Sequence, residues 1–340
     1  MDTETMKSTV AALLNSGKGI LAADESLATI GARFEALDIP STEENRRRYR
    51  ELLFTTPELG HYISGAILFD ETIRQHSSDG VPFPVVLREQ GIIPGIKVDM
   101  GTIPLANAPD EKITQGLDGL ATRLVEYHKL GARFTKWRAV FTVGNNLPSH
   151  LCLIANAEAL ARFAALSQEA GMVPIVEPEV LMQGRHTIER CEEVTAAVLY
   201  SVFEALYRHG ASLELMLLKS GMVLSGADCP DQASDAAVAE MTVRCFRRHV
   251  PAAVPGIVFL SGGQSPADAT ERLNAICNYP HGPWKITFSY GRALQDVAMK
   301  IWKGIPQHVS PAQLALHHRA RCNSAAAQGG YSSDREFTAD

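Results

Sequence analysis

One pattern recurs eight times along this chain of 340 residues: a short apolar run, a charged or glycine-rich turn, and a longer stretch with helical spacing. The apolar runs cover residues 19–26, 64–72, 92–99, 132–141, 172–180, 214–221, 256–264 and 285–293. Several are nearly continuous in Ile, Val, Leu and Phe, which is typical of parallel strands buried on both faces. Eight alternating strand–helix units predict an α/β fold, a (β/α)8 TIM barrel in a single domain.

The segments between the runs have the composition of amphipathic helices. Apolar residues at helical spacing occur in residues 155–170, 187–209, 232–249 and 266–277. Ser41-Thr42-Glu43-Glu44 has capping-box spacing and predicts a helix that begins there and runs to Leu53. An open doubly wound sheet is the alternative, but no GxGxxG follows the first run. We expect the barrel to cover residues 1–325, and a short flexible tail to cover 326–340.

Composition and charge exclude several classes of protein. The formal net charge of -6 is unlike that of a general nucleic-acid binder. The basic patch at 46–50 is interpreted as a solvated helix face balanced by neighbouring glutamates. The six cysteines form no CxxC pair, which favours reduced thiols over a disulfide framework. No apolar stretch approaches the ~20 residues of a membrane span, and no export signal is visible, so we expect a cytoplasmic protein without a membrane partner.

Charged residues stand at the ends of the predicted strands, where barrel enzymes carry their active sites. They are Asp24, Lys97, Asp99, Lys136, Arg138, Glu177, Glu179 and Lys219. Side chains at i and i+2 share one face of a strand, so Lys136 should point the same way as Arg138, and Glu177 the same way as Glu179. Because Lys, Glu and Asp are rarely buried unless they are paired or used, this pattern predicts that cations and carboxylates converge in the barrel mouth.

Lys219 is the candidate nucleophile among these residues. A lysine attacks a ketone only as the neutral amine, and burial or a nearby cation such as Lys136 favours that form. Forming a Schiff base also needs a proton carrier, which Glu177 or Glu179 can supply. The alternatives are a lysine that only reaches out to solvent and, for one of the two glutamates, a structural ion pair.

The loops after the seventh and eighth strands predict a phosphate site. They contain Ser261-Gly262-Gly263 and Ser289-Tyr290-Gly291-Arg292. In such barrels these two loops commonly bind phosphate through backbone N–H groups, helix N-termini and a cationic side chain. None of the eleven histidines falls in a strand-end motif, so neither a catalytic metal nor another cofactor is expected.

The motifs together resemble those of the class I fructose-bisphosphate aldolases. In order along the chain they are GKGILAADES, GIKVD, KWR, PIVEPE, LLK, FLSGGQS and FSYGRAL, and the resemblance runs from about Gly17 to Tyr331. It implies reversible cleavage of fructose 1,6-bisphosphate to dihydroxyacetone phosphate and glyceraldehyde 3-phosphate, by a metal-independent carbon–carbon lyase. It also implies a homotetramer that serves glycolysis, gluconeogenesis or carbon fixation.

The resemblance assigns roles to the matching positions. Lys219 would form the Schiff base, Glu177 would move protons with support from Glu179, and Lys136 would provide a cation. Asp24 would orient the substrate hydroxyls or act as a base, and Arg138 would help position substrate. One phosphate would be bound by Ser261, Gly262, Gly263, Ser289, Gly291 and Arg292. The other phosphate would lie toward Ser26, Arg33, Lys97 and the more peripheral Arg46.

Three departures from the family pattern leave alternatives open. Lys219 is followed by Ser220-Gly221 where the family commonly has Pro-Asn, and Ala32 stands where a lysine often precedes Arg33. The tail has no tyrosine after Tyr331, although many relatives use a terminal tyrosine in enamine proton transfer. A Schiff-base aldolase for another phosphosugar, or a non-catalytic scaffold on the same fold, are the competing hypotheses.

Overall fold

The computed structural model describes residues 3–336, and their strands and helices alternate as predicted. The first half of the chain forms α1 Thr3–Leu13, β1 Gly19–Ala23, α2 Leu27–Glu35, α3 Glu43–Phe54, β2 Ile63–Leu68, α4 Asp70–Ile73, α5 Phe83–Glu89, β3 Ile93–Lys97, β4 Thr102–Pro104, β5 Lys112–Thr114, α6 Leu120–Lys129 and β6 Phe134–Phe141. The second half forms α7 His150–Glu169, β7 Val173–Val180, α8 Ile188–Arg208, β8 Leu217–Ser220, α9 Asp235–His249, β9 Gly256–Phe259, α10 Pro266–Asn278, β10 Lys285–Tyr290, α11 Arg292–Trp302 and α12 Val309–Ala327.

Eight of the strands pair in parallel and close into a barrel, which confirms the predicted fold. Their order around the barrel is β1-β2-β3-β6-β7-β8-β9-β10 and back to β1. The sequence did not predict the short antiparallel hairpin of β4 and β5, which lies in the connection between β3 and β6. No helix within residues 3–336 combines the length and the apolar character needed to cross a membrane.

Side chains of the barrel strands belong to two separate apolar clusters. Alternate residues that point outward pack against the surrounding helices; Trp137, for example, stacks on Phe163 of α7 with ring centroids 5.7 Å apart. The residues that point inward fill the barrel, and they include Ile20, Ala22, Ile67, Phe134, Val173, Ile175, Leu217 and Val258. Two-residue periodicity therefore assigns each strand residue either to the helix layer or to the barrel interior.

Helix α1 closes the N-terminal end of the barrel. Its residues Met6, Val10 and Leu13 belong to the interior cluster with Phe134. The Phe134 ring lies against β3 at Gly95, where a Cβ atom would come within 2.3 Å of the ring, so only glycine fits. The bottom of the barrel is thus filled with apolar side chains, and the polar groups of the inward face lie above them.

Two local features differ from the sequence predictions, and a third bears on the expected domain boundary. The N-cap of α3 is Thr42 rather than Ser41, and its hydroxyl accepts the Asn45 N–H at 3.1 Å. Arg50 is not on a solvated face, because it is buried and pairs with Glu25 at 2.7 Å. Helix α12 continues to Ala327, past the predicted domain boundary at 325.

The division into a barrel and a tail stays a prediction, and two contacts bear on where the tail begins. Tyr331 is buried, and its hydroxyl donates to Glu336 at 2.8 Å. Glu336 in turn pairs with the buried guanidinium of Arg319 on α12. The first part of the predicted tail therefore packs against the helical layer, while residues 337–340 lie outside the described residues.

Candidate active site

A cavity of about 1260 Å³ opens at the carboxyl ends of the barrel strands. Most of the residues that the sequence singled out line this cavity: Asp24, Ser26, Arg33, Lys97, Lys136, Arg138, Glu177, Glu179, Lys219, Ser261, Gly262, Ser289, Gly291 and Arg292. Gly263 and Arg46 are not among the lining residues. The predicted convergence of cations and carboxylates is present in the structure.

The strand geometry explains why the charges meet there. Leu217, Phe134 and Ile175 point into the apolar interior on β8, β6 and β7. Two residues further along the same faces are Lys219, Lys136 and Glu177, respectively. Each strand therefore contributes an apolar side chain to the lower layer and a charged side chain to the layer at the mouth.

Two lysines and two carboxylates form the centre of the site. Lys219 Nζ lies 3.2 Å from Glu177 Oε1, and Lys136 Nζ lies 2.7 Å from Asp24 Oδ2. The second oxygen of Glu177 lies 3.4 Å from Lys136 Nζ. Lys219, Lys136 and Glu177 are buried, so these contacts act in a medium of low polarity where water screens them little.

The Lys136–Asp24 pair is held in its charged form. Burial by itself would lower the pKa of Lys136, but the carboxylates of Asp24, Glu177 and Asp99 outweigh it and raise that pKa above its usual value. Burial would likewise raise the pKa of Asp24, but the ammonium groups of Lys136 and then Lys219 hold it below 3.8. Lys136 is therefore a fixed cation, and Asp24 a fixed anion, at neutral pH.

The two glutamates of β7 have different partners, which separates their roles. Glu179 pairs with the guanidinium of Arg138, as expected for a structural ion pair. Glu177 Oε2 is buried and makes no hydrogen bond with any residue in the range 3–336. Apart from its ion pair with Lys136, this carboxylate oxygen has no partner that would keep it from a substrate hydroxyl, so Glu177 is the candidate acid–base group.

One end of the cavity has the features of an anion site. Ser289 Oγ is buried and has no hydrogen-bond partner in the described part of the chain. Gly262 and Gly263 have φ values of +59° and +106°, a conformation that favours glycine and turns backbone N–H groups outward. Arg292 is exposed at the first turn of α11, and its guanidinium lies beside Gly263. A phosphate here would meet a cation, a hydroxyl and a helix N-terminus.

The cations at the other end are already paired with carboxylates. Lys97 Nζ lies 2.5 Å from Asp99 Oδ1, and Arg33 pairs with Glu25 and with Asp296. Arg46, which the resemblance placed near this end, is instead bound through its Nε and Nη2 atoms to Glu71 at 2.8 and 2.6 Å. It stands outside the cavity lining because this salt bridge holds its guanidinium against the helix that follows β2.

Two acidic residues of the site were given no individual role by the sequence motifs. Asp99 contacts both Lys97 and Lys136, and Glu25 joins Arg33 to Arg50. The signal for Asp99 was present in the sequence, because it shares a strand face with Lys97 two residues before it. Nothing comparable marked Glu25, whose partners come from helices that follow in the chain.

Among residues 3–336, one group of possible metal ligands lies outside the cavity, where His318 and Cys322 on α12 face Glu336. Their ligand atoms lie within 4.8 Å of one another. The Arg319 guanidinium already contacts both carboxylate oxygens of Glu336, and its charge opposes a cation at the same place. We therefore assign this group to the packing of residues 331–336 against α12.

Known proteins share this architecture and these motifs. The sequence model of the family described as fructose-bisphosphate aldolase class-I matches residues 5–340. The chain belongs to the class I fructose-bisphosphate aldolase family. The activity of this family is the reversible cleavage of fructose 1,6-bisphosphate into two triose phosphates through a Schiff base, and the chain is a carbon–carbon lyase of this kind.

Individual family members are similar over nearly the whole chain. A probable class 1 fructose-bisphosphate aldolase from Xylella fastidiosa is 55% identical over 330 residues, which cover 97% of this chain and 99% of the relative. Cytosolic fructose-bisphosphate aldolase 4 from Arabidopsis thaliana is 52% identical over 323 residues, covering 94% and 82%. The solved Plasmodium falciparum aldolase, in complex with TRAP and a small-molecule inhibitor, superposes with a TM-score of 0.96 at 48% identity, covering 97% of this chain and 96% of that one.

Proposed function

We propose that Lys219 is the residue that forms the Schiff base. The observation that carries this proposal is the 3.2 Å contact between Lys219 Nζ and Glu177 Oε1, both buried at the mouth of the barrel. Transfer of one proton across this contact gives a neutral amine and a carboxylic acid together. The amine is then the nucleophile, and the acid is the group that protonates the leaving hydroxyl.

The steps balance with Glu177 as the principal proton carrier. The Lys219 amine adds to the ketone carbon of the substrate, the carbonyl oxygen gains a proton, and the resulting carbinolamine loses water when Glu177 protonates its hydroxyl. Glu177, now a carboxylate, takes the proton of the hydroxyl next to the bond that breaks. The bond electrons move into the iminium to give an enamine, and the aldehyde leaves. Protonation of the enamine carbon and hydrolysis of the imine release the ketone and restore Lys219.

The remaining charged groups position the substrate and stabilise charge. Lys136 is a fixed cation within reach of Glu177, so it stabilises negative charge that develops on a substrate hydroxyl. Asp24 orients the hydroxyl groups of the substrate. The ion pair of Arg138 and Glu179 lines one side of the cavity. One phosphate binds at Ser261, Gly262, Gly263, Ser289, Gly291 and Arg292, and the other binds toward Ser26, Arg33 and Lys97.

Trapping the covalent adduct tests the assignment of Lys219. The protein is incubated with dihydroxyacetone phosphate and reduced with borohydride, and the modified peptide is identified by mass spectrometry. We expect the adduct on Lys219, its loss in Lys219→Met, and no change in Lys285→Met, an exposed lysine at the start of β10. An adduct on another lysine, or none, contradicts the proposal. Activity that survives EDTA supports a metal-independent reaction, and loss that zinc restores contradicts it.

We also propose that the protein is a homotetramer. Tyr200 and Tyr207 lie seven residues apart on α8 and are 66% and 86% exposed, and the neighbouring helix α7 exposes Leu151 and Ile154. Exposed aromatic side chains on one helix face are typical of a surface that another chain covers. Light scattering should give four times 36.9 kDa, and Tyr207→Glu should lower the mass, whereas Lys285→Glu should not. A monomeric wild type contradicts the proposal.

The proposed location is the cytoplasm. All six cysteines are free in the structure, and five of them are buried. Free thiols are typical of a reducing compartment. Cell fractionation with an antibody to the protein tests this location, and recovery in an organelle or outside the cell contradicts it.

A further inference from the structure

The Asp99 carboxylate, just after β3, contacts two lysines and accepts hydrogen bonds from two backbone amides. Its Oδ1 lies 2.5 Å from Lys97 Nζ and accepts the Gly101 N–H at 3.2 Å. Its Oδ2 accepts the Arg138 N–H at 3.2 Å and lies 3.9 Å from Lys136 Nζ. The side chain is 3% exposed. Two backbone amides thus fix the carboxylate in place independently of the lysines it faces.

The strand register explains why a carboxylate is needed there. Lys97 and Lys136 are paired positions on the adjacent strands β3 and β6, and both side chains enter the cavity. Like charges at paired positions repel each other, and repulsion is stronger in a buried site than in water. Asp99 lies between the two ammonium groups and offsets this repulsion.

The same contacts leave one donor of Lys97 free. Lys97 Nζ donates to the backbone carbonyl of Asp99 at 2.6 Å, in addition to its contact with the carboxylate. An ammonium group has three N–H donors, so one remains, and Lys97 lines the cavity. Asp99 therefore fixes the direction in which Lys97 can meet an anion.

We propose that Asp99 is a positioning residue of the aldolase reaction, which holds Lys136 beside Glu177 and directs Lys97 into the cavity. The inference rests on the proposed roles of Lys136 and Glu177. Around Lys136, Asp24 approaches from the end of β1, Glu177 from β7, Lys219 from β8, and Lys97 with Asp99 from β3. Removal of Asp99 leaves Lys136 with carboxylates on one side only, so its ammonium group shifts toward Asp24 and Glu177.

Two substitutions of Asp99 separate its position from its charge. Asp99→Asn removes the charge, and Asp99→Glu keeps the charge but moves the carboxylate by one methylene group. A control, Glu192→Gln, removes a partly buried carboxylate that pairs with Arg244 at 2.5 Å, remote from the cavity. Steady-state kcat and KM for fructose 1,6-bisphosphate are measured from pH 6 to pH 10, with thermal unfolding of each variant.

Both Asp99 variants should lower kcat/KM by about 10- to 100-fold, with most of the loss in kcat, because a displaced reacting group costs rate more than binding. Only Asp99→Asn also removes a negative charge beside Lys136 and Lys97, so its loss of kcat should be the larger of the two. Glu192→Gln should match the wild type.

The proposal is overturned if Asp99→Asn stays within about twofold of the wild type in kcat/KM across this pH range. It is also overturned if the variant loses only thermal stability while the folded fraction keeps full kcat. If Asp99→Asn does not fold, Asp99→Glu decides alone, and unchanged kcat in that variant overturns the proposal. A wild type that forms no borohydride-trapped adduct on Lys219 would instead refute the proposed function.

Discussion

Replacement of Lys136 by methionine tests the electrostatics of the site most directly. Lys136 Nζ lies 2.7, 3.4 and 3.9 Å from the carboxylates of Asp24, Glu177 and Asp99, and its side chain is 4% exposed. Glu177 and Asp99 each keep another lysine, at 3.2 and 2.5 Å respectively, whereas no other salt bridge to Asp24 is found among residues 3–336. The variant therefore removes the one salt bridge to Asp24 found in that range and leaves a mostly buried carboxylate with only the weaker attraction of Lys219 and Lys97.

The expected loss in the free energy of unfolding follows from the shortest of these contacts, between Lys136 and Asp24. At an effective dielectric constant of about 20, two unit charges 2.7 Å apart attract each other by about 6 kcal/mol. Much of this attraction is offset by the desolvation of both groups, and breaking a buried pair typically costs about 3–5 kcal/mol. We expect Lys136→Met to lower the free energy of unfolding by this amount near pH 7.5.

The loss of stability in Lys136→Met should become smaller as pH falls. In the wild type the folded pKa of Asp24 lies below 3.8, so its stabilising contribution is present above that value and is lost only as pH falls through the lowered pKa. In the variant, burial without the Lys136 ammonium raises the folded pKa of Asp24, so the charged carboxylate opposes folding at neutral pH. This penalty disappears as the carboxylate takes up a proton, and the difference between the two proteins shrinks as pH falls toward about 4.

Urea unfolding followed by circular dichroism at pH 7.5, 6 and 5 measures this difference. Arg244→Met serves as the control, because it breaks the surface pair with Glu192 and should cost less than about 1 kcal/mol at every pH. A loss for Lys136→Met that is equal at pH 7.5 and pH 5, or that grows toward acid pH, would show that Asp24 is not the group left unpaired.

Three further outcomes follow from the structure. Glu177→Gln should lower kcat by about 100- to 10,000-fold in steady-state assays, because the amide cannot carry a proton, and a loss below tenfold would assign that role elsewhere. Arg292→Ala should raise KM for fructose 1,6-bisphosphate by about 10- to 100-fold while kcat falls less, because a charged hydrogen bond to phosphate is lost; an unchanged KM would contradict the phosphate site. Gly95→Ala should destabilise the protein by about 1–3 kcal/mol because its Cβ meets the Phe134 ring at 2.3 Å, whereas Gly31→Ala, on a helix with nothing nearer than 3.5 Å, should raise the melting temperature.

Much of the barrel was predictable because parallel strands buried on both faces produce apolar runs that stand out from the helices. The same argument could not find β4 and β5, since strands of three residues with partly exposed side chains carry no such run. Position in the barrel, rather than the residue alone, distinguished Lys219 from other lysines. The predicted cap at Ser41 was wrong by one residue, because two adjacent hydroxyl residues compete for the same role and the sequence does not decide between them.

The sequence did not show which charged residues of the site form ion pairs with each other. The roles of Glu177 and Glu179 depend on which of them meets Arg138. The register of β6 and β7 places Arg138 beside Glu177, yet the Arg138 guanidinium pairs with Glu179 two residues further along β7. Arg46 carries the charge that a phosphate site needs, but Glu71 binds it from the helix after β2. Such contacts depend on angles between strands and helices, which residue spacing does not record.

The apolar layer that α1 and Phe134 form at the base of the barrel also limits the side from which solvent can reach the charged groups above it. Within residues 3–336, the cavity above this apolar layer opens at the carboxyl ends of the strands, where a phosphosugar would bind. Solvent therefore reaches Lys219 and Glu177 from the mouth, and a bound phosphosugar narrows that route for as long as it stays in place.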